Sequence, residues 1–82
     1  MALSQTEVLA GLAELVNDET GIPVETVELG KEFEADLDVD SISMITIIQN
    51  AEDKFGVKIP DDAAAGMKTV DDAVNYIVAA QG

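Results

Sequence analysis

The sequence predicts an all-α fold, a four-helix bundle of three longer helices and one short helix with a long loop between helices one and two. Two observations point there. Apolar residues recur at helical spacing in three segments that each follow a capping signature, and no alternating pattern longer than Val57 to Ile59 offers a strand. A length of 82 residues then allows one core and no second folded unit, so residues 1–82 read as a single domain.

Helix one opens on Ser4-Gln5-Thr6-Glu7, a capping box in which the serine hydroxyl meets an amide three residues on and the glutamate reaches back. Val8, Leu9, Leu12, Leu15 and Val16 fall on one side, Glu14 and Asp18 lie away from it, and Gly21 and Pro23 end the element, which places it at about residues 5–19. From Gly21 to Val39 the periodicity fails. Val24, Val27, Leu29, Phe33 and Leu37 recur too irregularly for a helix, so this stretch is a long loop with a short helical turn near Glu25 to Val27, pinned to the core by Phe33 and Leu37.

Helix two fits residues 41–55, capped by Asp40 or Ser41 and closed by Gly56. With Met44 at zero on a helical wheel, Ile47, Ile48, Ala51 and Phe55 fall within about 60° of it, while Ile42 and Ile45 stand about 100–160° away and should be exposed or half exposed. Pro60, at a first helical position, and the acids Asp61 and Asp62 begin a short helix that Gly66 stops. Thr69-Val70-Asp71-Asp72 opens the last helix, whose inward face is Val70, Ala73, Val74 and Ile77 and which runs to about Ala80.

Composition narrows function. The chain is 48% hydrophobic, too apolar for disorder, and it carries 17 acidic residues against 4 lysines, a net charge of −13 that excludes binding to nucleic acid or an anionic membrane through a basic patch. With no histidine and no cysteine, neither a nucleophilic triad nor a zinc site of the finger kind can be built, and the chain itself offers no redox chemistry. Carboxylate-only acid–base chemistry would need a desolvated pocket, and the densest run of acids lies in an open, self-repelling loop, so the chain reads as no enzyme. The amino-terminal Met-Ala-Leu-Ser-Gln shows neither a signal peptide nor a membrane span, which suggests a cytoplasmic protein.

Glu25, Glu28, Glu32, Glu34, Asp36, Asp38 and Asp40 crowd the loop before helix two against the single Lys31, about −6 in local charge. Such a run is ordinarily a solvated face. The spacing of Asp36, Asp38 and Asp40 matches the first ligands of an EF-hand, but the glycine that loop needs at its sixth position is Ser41 and the bidentate glutamate at its twelfth is Ile47, so no metal site is expected. Ser41 stands where the acidic loop meets the helix. If Asp40 makes the cap, the Ser41 hydroxyl is free at an exposed tip.

Asp36-Leu37-Asp38-Val39-Asp40-Ser41-Ile42, the stretch Phe55-Gly56-Val57-Lys58-Ile59-Pro60-Asp61-Asp62 beginning fourteen residues after the serine, and Lys68-Thr69-Val70-Asp71-Asp72-Ala73-Val74-Asn75-Tyr76-Ile77 together resemble an acyl carrier protein of a bacterial type II fatty acid synthase. The likeness runs from about Ser4 to Ile77. It implies a 4′-phosphopantetheine arm on Ser41, transferred from coenzyme A with Mg²⁺ by a holo-synthase phosphopantetheinyl transferase. It also implies a monomeric carrier that takes a growing acyl chain between condensing, reducing and dehydrating enzymes, whose basic patches it would meet through Asp40, Ile42, Ile45, Glu52, Asp53 and Asp61. An acyl chain that retreats into the bundle would be lined by Phe33, Met44, Ile47, Ile48, Ile59, Met67 and Ile77.

The chain departs from the family pattern at named positions. It has Asp-Ser-Ile in place of Asp-Ser-Leu, Asp38 where many members have glycine, and Thr46 where an acid is common, and Ile42 to Asn50 carry no charge. A carrier for polyketide or specialised lipid synthesis would share the arm and differ in cargo. An unmodified acidic adaptor, with Ser41 a plain helix cap, would carry no arm.

Overall fold

The capping box at Ser4 forms as its residues predict: the hydroxyl accepts from the Glu7 amide at 3.2 Å, and the Glu7 carboxylate accepts from the Ser4 amide at 3.0 Å. These bonds hold the Glu7 carboxyl below its ordinary range, the backbone amide of Ser4 contributing most and its hydroxyl next. In this computed structural model, which describes residues 3–81, the helix begun there is α1 (Gln5–Thr20), followed by a 3-10 turn (Val24–Thr26), α2 (Ser41–Phe55), α3 (Asp61–Ala65) and α4 (Val70–Gln81). Among the described residues there is no strand, only an isolated antiparallel bridge between Glu32 and Thr69.

Gly21 closes α1 at φ 81 with its amide on the Asn17 carbonyl, and Gly56 closes α2 at φ 65 on the Glu52 carbonyl, both in the left-handed conformation that glycine adopts without strain. The short turn lies one residue earlier than the spacing suggests, because the Val27 amide closes on the Val24 carbonyl. Pro60 is the residue before α3 (φ −61, ψ 156), a correction to its expected place as first helical residue; its carbonyl takes the Ala64 amide at 2.9 Å. α4 opens on a reciprocal pair, with Thr69 Oγ1 accepting from the Asp72 amide and Asp72 Oδ2 from the Thr69 amide, each at 3.3 Å.

α1 packs against both α2 and α4. Val8, Leu12 and Val16 from α1, Ile47 and Ala51 from α2, and Val70, Val74 and Ile77 from α4 form the sealed centre. Leu9 and Leu15 are only partly buried because they sit at the margins of the α1 stripe, whereas Met44 and Phe55, central in the α2 stripe, are partly buried in the first and last turns of that helix. Phe33 and Leu37 anchor the long loop as their apolar character predicts, and Val27 and Val39 join them in the core. That loop is stitched to the start of α4 by main-chain bonds from Phe33 to the Lys68 carbonyl (3.0 Å) and from Val70 to the Lys31 carbonyl (2.8 Å). The Gly30 amide adds a bond to Asp71, whose carboxyl is pushed below its usual range first by the Thr69 hydroxyl and then by that amide.

Candidate functional site

The loop's acidic run ends on Asp40, which takes the extended backbone of an N-cap (φ −80, ψ 173) and accepts from the Ser43 amide at 2.7 Å. The amide and then the hydroxyl of Ser43 hold the Asp40 carboxyl below its ordinary range, so it is charged near neutral pH. Because Asp40 makes the cap, the helix does not call on the hydroxyl of Ser41, the first residue of α2, and Ser41 is exposed. Two residues before the capping Asp40, Asp38 takes a positive φ of 55, the left-handed region, to turn the chain into the helix.

Ile42 is 74% exposed and Ile45 59%, as the wheel predicts, so an apolar strip flanks Ser41 on a helix whose other apolar residues face inward. Beside it opens a cleft of about 800 Å³ between α2, α3 and the long loop, with Ser41 on its wall. Of the seven residues expected to line a chain-binding space, Phe33, Met44, Ile48, Ile59 and Met67 line this cleft. Ile47 and Ile77 do not; they are as deeply buried as Phe33 but lie off the cleft wall. The helical wheel supplies the reason for Ile47, because the cleft-facing positions Ser41, Met44, Ile48 and Glu52 centre about 100° around α2 from Ile47. Ile45 lines the cleft as well as the outer strip, and so do Gln49 and the α3 alanines Ala64 and Ala65. The alanines' small size was the available sequence signal for an opening there.

The cleft lining also carries Glu32, Glu34, Glu52 and Asp61 against one cation, Lys68. Asp61 is exposed at the start of α3, while Asp53 is exposed and lies outside the lining. Glu52 is different from both. It is half-buried, and its Oε2 accepts from the Ile59 amide at 2.8 Å. Asp36 also has a structural partner, accepting from the Glu32 amide at 2.8 Å, so the acidic run is partly loop architecture and partly free charge. Among the described residues, no helix is long and apolar enough to cross a membrane.

The arrangement is a free hydroxyl beside an apolar cleft, with an acidic margin and two exposed isoleucines. A family model described as a phosphopantetheine attachment site matches residues 10–77. The chain is 63% identical over 78 residues to an acyl carrier protein of Renibacterium salmoninarum, covering 95% of this chain and 96% of that one. It is 59% identical over 81 residues to an acyl carrier protein of Beutenbergia cavernae, covering 99% of each. A solved structure of acyl carrier protein from Enterococcus faecalis aligns with a TM-score of 0.78 at 33% identity, covering 95% of this chain and 99% of that one.

Proposed function

We propose that this chain, which belongs to the acyl carrier protein family, carries growing acyl chains as thioesters on a 4′-phosphopantetheine arm attached at Ser41 and presents them to the enzymes of fatty acid synthesis. Acyl carrier proteins are carriers and not enzymes, and they bear 4′-phosphopantetheine covalently. The observation that supports Ser41 is that Asp40 caps α2 and leaves the exposed serine hydroxyl out of the capping bond.

The residues present fit the group. Ser41 lies at the wall of a cleft whose lining is apolar at Phe33, Met44, Ile48, Ile59 and Met67, so a chain tethered there has a sheltered surface within reach. When attached, the arm supplies the terminal thiol that a chain without cysteine lacks. Around it, Asp40, Asp53 and Asp61 would steer basic patches of a phosphopantetheinyl transferase and of condensing, reducing and dehydrating enzymes toward Ser41. Ile42 and Ile45 would then give the apolar contact that outlasts the encounter.

The test is intact mass after incubation with coenzyme A, Mg²⁺ and a phosphopantetheinyl transferase. The wild-type chain should gain the mass of one arm, and Ser41→Ala should gain none while keeping its helical circular dichroism. A folded wild-type chain that stays unmodified, or a Ser41→Ala chain that is modified, would overturn the assignment.

A further inference from the structure

Glu52 holds the connection between α2 and α3 with both of its acceptors. Its carbonyl takes the Gly56 amide and, at 3.2 Å, the Val57 amide, while its carboxylate reaches seven residues forward to the Ile59 amide at 2.8 Å. The segment from Gly56 to Pro60 has no helix or strand of its own, and so this one residue satisfies three of its amides. Ile59 is buried and forms part of the cleft wall, and Glu52 lies in the same wall.

We propose that Glu52 is a positioning residue: its carboxylate, bonded to the Ile59 amide, fixes the α3-side wall of the cleft, and its oxygen as an acceptor matters there more than its charge as a docking group. The proposal rests on the reading of the cleft as a shelter for the tethered chain. A half-buried carboxylate already bonded to a main-chain amide is poorly placed to give that oxygen to a partner's lysine or arginine, because the exchange leaves the amide unpaired. Asp53, next in sequence and exposed, has no such tie to the cleft. Two adjacent acids on α2 thus have different work, one inward along the cleft and one toward solvent.

Three forms of the full chain separate the roles: wild type, Glu52→Ala, which has no acceptor, and Glu52→Gln, which keeps an acceptor oxygen and loses the charge. In the apo proteins, exchange of the Ile59 amide should quicken about tenfold to a hundredfold in Glu52→Ala and stay close to wild type in Glu52→Gln. With an octanoyl-phosphopantetheine arm on Ser41, thioester hydrolysis should follow the same order, fastest in Glu52→Ala and wild-type-like in Glu52→Gln. If Glu52→Gln behaves as Glu52→Ala does, or if Ile59 exchange is the same in all three, Glu52 does not position the wall. If wild-type thioester hydrolyses as fast as free octanoyl-pantetheine, the shelter reading itself fails, whatever the amide shows.

Discussion

Gly11 on α1 and Phe55 at the end of α2 meet so closely that a Cβ placed on Gly11 would stand 2.8 Å from the ring Cζ and 3.0 Å from Lys54 Cε. The bare glycine lets the two helices approach, and the Lys54–Glu14 ion pair at 3.7 Å lies across the same contact. Gly11→Ala gains up to about 1 kcal/mol of helix propensity but must displace a packed ring, an overpacking that costs about 1–3 kcal/mol. A net loss of about 1 kcal/mol is expected in urea unfolding, and a more stable variant would contradict the close contact.

Asp38 bends the chain into α2 at φ 55, a conformation that costs an L-residue strain and glycine none. Asp38→Gly removes that strain and one of seven crowded acids, at the expense of a more flexible unfolded chain. Stability should rise by about 0.5 kcal/mol, read as a shifted urea midpoint at unchanged slope. A lowered midpoint would show that the aspartate side chain holds the turn.

Asp40 carries the pH dependence of the α2 cap. Its folded pKa lies below the unfolded value, so its contribution is complete above about pH 4 and is lost as pH falls through the folded value. The Ser43 amide resonance should therefore titrate with a midpoint below about 4, and Asp40→Asn should keep the cap and abolish the titration. A midpoint at or above the ordinary aspartate value would count against the bond.

Ile42 touches little of its own fold at 74% exposure. Ile42→Ala should change stability by less than about 0.5 kcal/mol, while the kcat/KM for arm transfer falls roughly tenfold through the lost apolar contact. Equal transfer rates for variant and wild type would remove Ile42 from the docking surface.

A net charge of −13 with a single, solvent-exposed ion pair among the described residues leaves the folded state under self-repulsion. Raising ionic strength should add about 1 kcal/mol, roughly 4–8 °C in melting temperature for a domain of this size. A melting temperature flat in salt would mean that the acids are too dispersed to repel.

Helix positions were legible wherever local chemistry acts alone. The Ser4 box and the Gly56 stop are decided within a few residues, and the exposure of Ile42 and Ile45 follows from the wheel, whereas the choice of Asp40 over Ser41 as the α2 cap came from the structure. Val39 and the second role of Ile45 were not legible, because burial in an irregular loop has no period to read and a helix wheel does not say which neighbour each edge meets. Asp36 and Glu52 look in sequence like the other acids. Only their partners, the amides of Glu32 and Ile59, set them apart.

By itself the sequence determined the helices, the excess of negative charge and a serine beside an aspartate at the start of α2, either of which could cap it, since propensity, charge and capping act over a few residues. Only the tertiary structure decided which apolar residues wall the cleft and which are sealed behind it, leaving Ile47 and Ile77 out, and which acids are held by main-chain amides. Those outcomes depend on how far around each helix its neighbour packs and on where the long loop crosses α4, and both are properties of elements far apart in the chain.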